Sequence, residues 1–182
     1  MSRIGKAPIT LPDKVTVSVR SDSVQVSGPK GSLTRKLHPR VSVVVEDGQV
    51  LVRRDGDDRE ARAVHGLFRA LLNNMVIGVS AGHSRTLLVT GIGYRAEQIG
   101  SMVRLNAGLS HPVLLAPEEG VELKVEGQNR VVVSGIDKEL VGDMAARIRA
   151  VRPIKPYIFR GDFQGIRYED ERPRRKAGKQ GV

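Results

Sequence analysis

The sequence predicts an α+β fold of two tandem, duplicated domains that ends in an extended basic tail. Three observations carry this expectation. Short valine-rich stretches alternate with period two, each set of stretches runs into a single helical pattern, and the whole order occurs twice.

In the first half Val15, Val17 and Val19 alternate with polar neighbours, as do Val24 with Val26 and Val41 with Val43 and Val45. A turn through Asp47-Gly48 then leads into the apolar run 50–52. The period changes next. Ala61, Val64, Leu67, Phe68, Leu71, Leu72, Met75, Val76 and Val79 fall three or four apart and define one apolar helical face. Asp57 followed by Glu60 reads as a capping box opening this helix, and Gly78 and Gly82 weaken its far end. The second half is strand-like over 86–89, 102–105, 112–115, 121–125 and 130–133. Leu140, Val141, Met144, Ala145, Ile148 and Val151 then form a second helical face, with Asp137 as N-cap and Pro153 as stop.

The halves overlay. Val41, Val43, Val45 and Glu46 match Val121, Leu123, Val125 and Glu126 at an offset of 80, and 50–52 matches 131–133 at 81. Two repeats are too few for a solenoid, so a pair of compact domains is expected. The break falls near 80–84, giving domains 1–82 and 83–182, the second carrying a tail from about 153. Beyond Arg152 the regular pattern lapses, and 169–182 is highly charged and expected to be extended.

The formal charge is +10 with a pI near 10.4, so a phosphate backbone is the first partner to consider and an anionic membrane the second. The excess is uneven: residues 1–86 carry net +6, 87–146 net −3, and 147–182 net +7. With no Cys, disulfides, thiolate metal sites and cysteine nucleophiles are excluded. The opening Met-Ser-Arg-Ile-Gly-Lys has no apolar signal-peptide region, and no run approaches the roughly 18 apolar residues of a membrane span. A soluble, cytoplasmic protein is expected.

A catalytic site needs convergent polar groups, and the sequence supplies none that are recognisable. His38, His65, His83 and His111 make no HxxxH or HExxH pattern, and packing or capping explains His65. Gly28-Pro29-Lys30-Gly31-Ser32 lacks P-loop spacing and reads as a β-turn with an exposed lysine. Gly91-Ile92-Gly93-Tyr94 is followed by Ala96 and strand-like sequence, so a Rossmann site fails on context. Glu118-Glu119 and Asp57-Asp58 read as solvated or capping pairs.

The tail is the positive signal. Lys155, Tyr157, Phe159, Arg160, Phe163, Arg167 and Tyr168 interleave cations with aromatics, and Arg172, Arg174, Arg175, Lys176 and Lys179 follow. Cations neutralise phosphates, while aromatic rings stack on unpaired bases. Pro153, Pro156 and Pro173, and the lack of an amphipathic period, count against membrane binding.

Nine segments in order resemble one family, bacterial large-subunit ribosomal protein six. They begin with Met1-Ser-Arg-Ile-Gly-Lys-Ala-Pro-Ile9, Val26-Ser-Gly-Pro-Lys-Gly-Ser-Leu33, His65-Gly-Leu and Asn74-Met-Val-Ile-Gly-Val79. They continue with Gly91-Ile-Gly-Tyr-Arg-Ala96, Leu109-Ser-His-Pro-Val113 and Val133-Ser-Gly-Ile-Asp-Lys-Glu-Leu-Val-Gly142. Gly165-Ile-Arg-Tyr168 and Arg174-Arg-Lys-Ala-Gly-Lys179 complete the set. The resemblance implies duplicated domains, each an antiparallel sheet packed against one main helix, with no cofactor and no enzymatic activity. It implies binding to large-subunit rRNA through the second domain and tail, beside neighbouring ribosomal proteins at the stalk base and close to where elongation factors dock. It also implies a first domain that faces outward, with neither a membrane nor a small-molecule substrate as partner.

One departure stands out. The family's compact Pro-Tyr-Lys-Gly-Lys-Gly-Ile-Arg-Tyr segment is replaced by Pro156-Tyr157, the longer Ile158-Phe-Arg-Gly-Asp-Phe-Gln164, and Gly165-Ile166-Arg167-Tyr168. Stacking or packing by Phe159 and Phe163 is the expected purpose of the change. The RNA-binding candidates are Arg160, Arg167, Tyr168, Arg174, Arg175, Lys176, Lys179 and Lys155, with Tyr94, Arg95 and Lys138 secondary. Lys138 stands beside a predicted helix start, whose free N–H groups also suit phosphate. The rival readings are a non-ribosomal nucleic-acid binder, a small hydrolase or nucleotide-binding enzyme, and a pure protein-interaction module.

Overall fold

The computed structural model of the chain describes residues 3–46, 48–159 and 162–176. It divides into two compact units, one of the chain through His83 with Ile136–Lys138, the other of Ser84–Gly135 with the chain from Glu139 onward.

The first unit contains α1 (Arg3–Lys6), β1 (Ile9–Thr10), β2 (Thr16–Val19), β3 (Ser23–Gly28), β4 (Gly31–Lys36), β5 (Val41–Glu46), β6 (Gln49–Arg54) and α2 (Arg59–Ser80). Its strands make two sheets, ordered β1-β6-β5 and β2-β3-β4. Alternation places most of the expected valines inward, but Val19 and Val45, near the ends of β2 and β5, are exposed. Val24 and Val26 are fully buried, and Val41, Val43, Val50 and Val52 of the β5–β6 hairpin are buried, with Val43 opposite Val52. Leu72, Met75, Val76 and Val79 of α2 close this core, each fully buried side chain contributing about 1.5–3 kcal/mol.

Two local expectations are corrected. The N-cap of α2 is Asp58, not Asp57: its carboxylate accepts from the Ala61 N–H at 3.3 Å, while Asp57 pairs with Arg54. The helix also runs through Gly78 to Ser80, because Gly78 is buried at a close approach where a Cβ would collide. The Gly28–Gly31 segment is the expected turn, joining β3 to β4 in a hairpin with Gly28 opposite Gly31. His65 lies inside the core, 4% exposed. Its Nε2 stands 2.8 Å from the Val52 carbonyl, and Gly5 is required beside its ring.

The second unit contains β7 (His83–Thr90), β8 (Arg95–Ile99), β9 (Met102–Asn106), β10 (Val113–Leu115), β11 (Val121–Glu126), β12 (Arg130–Gly135), α3 (Lys138–Val151), β13 (Ile158–Phe159), β14 (Asp162–Phe163) and β15 (Gly165–Tyr168). Its sheets run β10-β9-β8 and β11-β12-β7-β15. Strand order therefore reproduces the first unit: β7-β12-β11 corresponds to β1-β6-β5, and β8, β9 and β10 correspond to β2, β3 and β4. The equivalent buried positions also agree, with Val121, Leu123, Val131 and Val133 facing the core as Val41, Val43, Val50 and Val52 do. Glu46 pairs with Gln49 across one turn and Glu126 with Arg130 across the other, so a single extra turn residue accounts for the change of offset from 80 to 81.

Helix α3 opens directly after Asp137 and ends before Pro153, as expected. The expectation that regular structure lapses beyond Arg152 is corrected. Gly165–Tyr168 forms β15, antiparallel to β7, with Ile166 opposite Val89 and fully buried. This strand has no counterpart among the described residues of the first unit. Within the unusual 158–164 segment, β13 and β14 pair antiparallel, with Ile158 opposite Phe163. No helix among the described residues is long and apolar enough to cross a membrane.

Candidate nucleic-acid interface

Beyond β15 the chain turns at Glu169-Asp170 and continues without regular structure to Lys176. The Lys176 N–H donates to the Pro156 carbonyl at 2.9 Å, and the Lys155 N–H donates to the Gln164 carbonyl at 2.9 Å. These two bonds bring separate parts of the chain together. Lys155 and exposed Tyr157 stand on one strand of backbone, with Arg174, Arg175 and Lys176 on the other. Lys155, Arg172, Arg174, Arg175 and Lys176 are all exposed and pair with no carboxylate among the described residues.

The root of this strip is fixed by three ion pairs. Arg130 pairs with Glu169, Arg85 Nη1 lies 3.3 Å from Asp170 Oδ2, and Arg149 Nη2 lies 2.6 Å from Glu171 Oε1. Two of these arginines lie over the Tyr168 ring, their guanidinium carbons 5.9 Å (Arg85) and 5.7 Å (Arg149) from its centroid. The bidentate Arg149 contact holds the Glu171 carboxyl below the usual carboxylate range, helped by the Tyr168 N–H and the Arg167 charge, and opposed by burial. Arg149 is correspondingly raised.

The candidates therefore separate into groups. Lys155, Arg174, Arg175 and Lys176 are brought together and free. Arg167 and Tyr168 are half-buried in β15, Arg167 Nη1 donating to the Glu171 carbonyl at 3.0 Å, so they build the platform. Tyr94 packs against the second core between Gly91 and Gly108, where any Cβ would strike its ring. Arg95 is exposed but pairs with Glu97 at 2.8 Å. Lys138, grouped with the first unit, is exposed and donates to Asn74 Oδ1 at 3.3 Å. Arg160 and Lys179 lie outside the described residues. Sequence reasoning missed Arg85, Arg130, Arg149 and the acids that meet them. The available signal was the Glu169-Asp170-Glu171 triplet, an acidic interruption between two basic stretches.

No group of His, Asp or Glu among the described residues has the arrangement to hold a metal ion. A hollow of about 570 Å³ is an open groove along β11, where the Gln98 amide bonds the Leu123 carbonyl and the Val125 N–H.

A duplicated α+β scaffold whose second copy carries an extra strand and an exposed basic strip is the architecture of a structural protein built from repeated domains. The ribosomal protein L6 family model matches the chain twice, over residues 11–82 and 90–164. The chain belongs to the ribosomal protein L6 family, a structural and non-enzymatic one. Among its relatives, the large ribosomal subunit protein uL6 of Carboxydothermus hydrogenoformans is 51% identical over 181 residues, covering 100% of this chain and 97% of the relative. The uL6 proteins of Acaryochloris marina and Shouchella clausii are 52% and 50% identical, each alignment covering 100% of this chain and 99% of the relative.

Proposed function

We propose that this chain is a structural constituent of the large ribosomal subunit that holds large-subunit rRNA by the strip through Lys155, Arg172, Arg174, Arg175 and Lys176. Arg160 and Lys179 add cations along the same stretches of chain. The observation that carries this reading is the contrast in pairing: the arginines beneath the strip are neutralised by acids, while the strip's own cations have no carboxylate partners among the described residues. Free, exposed cations bind phosphate most strongly, since each phosphate neutralised releases condensed counterions. Tyr157, 54% exposed beside Lys155, supplies a face on which an unpaired base can stack.

The repeats divide the work, 1–82 as an outward-facing spacer and 83–182 as the RNA-holding part. Family membership supports the setting, a ribosome in the bacterial cytoplasm with neighbouring large-subunit proteins as partners. Within that particle we place the chain at the stalk base, near the docking region of elongation factors. Its mechanism is architectural: rigid sheets fix the strip, and the strip clamps folded RNA by phosphate contacts and shape.

The test is a salt titration of binding to large-subunit rRNA, comparing the intact chain with Arg174→Gln, Arg175→Gln and Lys176→Gln combined. Loss of three phosphate contacts should flatten the slope of log affinity against log salt by roughly 2 to 3. An unchanged slope would move the RNA site elsewhere on the chain. Preference for duplex DNA over structured rRNA would favour the non-ribosomal reading.

A further inference from the structure

We infer that Glu169, Asp170 and Glu171 are positioning residues for RNA binding: three carboxylates that strengthen the hold on a polyanion by clasping the root of the basic strip. The inference rests on the proposed rRNA reading and deepens it.

Three consecutive acids meet three arginines from three different elements. Glu169 takes Arg130 at the start of β12, Asp170 takes Arg85 of β7, and Glu171 takes Arg149 in the last turn of α3. Backbone groups reinforce two of the contacts, those of Glu169 and Glu171. The Glu169 N–H donates to the Thr86 carbonyl at 3.0 Å, the Glu171 N–H to the Tyr168 carbonyl at 3.1 Å, and the Tyr168 N–H to Glu171 Oε2 at 3.2 Å. A merely solvating acidic run would not engage every member with a separate partner. Nor is the triplet part of a metal cluster among the described residues.

The consequence is directional. Arg172 follows the clasp immediately, and Arg174 comes two residues later, so the first free cations leave the sheet from a fixed point. Ordering a chain before binding removes that entropic cost from the association step. Set against this, each carboxylate repels phosphate, because the two carry charge of the same sign. The two effects have opposite signs, which makes the inference testable.

The experiment compares the full chain with Glu171→Gln and with Glu169→Gln, Asp170→Asn and Glu171→Gln combined. Net charge rises in both variants, so charge alone demands tighter rRNA binding. The clasp demands the reverse: affinity falling about three- to tenfold, the cost of ordering roughly one residue at binding, with the salt slope unchanged because the same cations still meet phosphate. Tryptic cleavage after Arg174 and Arg175 in the free protein should quicken by a similar factor. The charge swap Arg149→Glu with Glu171→Arg should recover both properties towards the parent, which simple loss of stability would not explain.

Equal or tighter rRNA binding by a folded Glu171→Gln chain overturns the clasp. If the triple variant does not fold, the single variant and the swap decide the matter. Absence of salt-dependent rRNA binding by the parent chain itself would instead sink the functional reading, and unaltered tail proteolysis in the variants would still sink the clasp.

Discussion

Arg149 grips Glu171 through two parallel hydrogen bonds, Nε to Oε2 at 2.9 Å and Nη2 to Oε1 at 2.6 Å. The fork geometry joins the last turn of α3 to the chain just beyond β15, over 22 residues of sequence. Arg149 thus serves the scaffold, although it lies in the most basic segment of the chain.

Glu171→Gln should destabilise the second unit by about 1 kcal/mol, a charge-assisted pair discounted for its partly solvated setting. The carboxyl is depressed below 4.5 in the folded chain, chiefly by the Arg149 hydrogen bond, so the folded state binds its proton less readily than the unfolded state. The contribution is therefore full above the unfolded value and is lost as pH falls through the depressed folded one. Thermal melts should show a gap between parent and variant of about 2–4 °C at pH 7 that closes below pH 4.5. A gap of constant size across that range would mean that the pair's charge contributes nothing.

Truncation should separate strand from strip. A chain ending at Arg152 lacks β15 and leaves Leu87 and Val89 without the buried Ile166 beside them, whereas a chain ending at Arg172 keeps both strand and clasp. Emptying the Ile166 position alone costs about 2–5 kcal/mol. The shorter chain should melt far lower or unfold, and the longer one should melt close to the parent. Equal melting of the two would remove β15 from the folding unit.

Much of this architecture was legible because its signal is local. Valines two apart and apolar residues three or four apart announce strands and helices within a few residues, and the duplicated hairpins appear as matching patterns at offsets of 80 and 81. β15 carries no such signal. Only Ile166 is a buried aliphatic in its four residues, and its partner strand β7 lies more than 70 positions earlier in the chain. The same distance hid the clasp, since Arg85 and Asp170 are 85 residues apart. Arg167 and Tyr168 therefore read as free tail residues until the sheet claimed them. The cations beyond them needed no tertiary information, because an exposed basic run is visible as composition.

The 158–164 segment offers a test of the family departure. Its paired strands set Ile158 opposite Phe163, whose ring is half-buried, while the side chain of Phe159 lies outside the described residues. A two-residue ladder adds little to global stability. Phe159→Ala with Phe163→Ala should therefore shift melting by no more than a few degrees and weaken rRNA binding about tenfold, the worth of one stacked base. A lower melting temperature with unaltered affinity would assign the rings to packing, and no change in either would leave the insertion without a role in binding or folding.

Gly165→Ala should detach the strip without touching any cation. Gly165 has φ +138°, a backbone conformation that residues with a Cβ rarely adopt, and a Cβ there would stand 2.5 Å from the Ile154 Cα and 2.8 Å from the Pro153 carbonyl oxygen. Both obstacles are backbone and cannot swing aside. The approach exists because the Ile166 N–H donates to the Arg152 carbonyl at 2.8 Å, seating β15 against the chain that leaves α3. Relief requires the start of β15 to part from the Arg152–Ile154 backbone, at a cost of about 2 kcal/mol or more. Amide exchange at Ile166, whose N–H bonds the Arg152 carbonyl, should accelerate by roughly thirtyfold or more, the same energy read as an opening equilibrium. Exchange as slow as in the parent would mean that the backbone absorbs the methyl group and that β15 is not held by this contact.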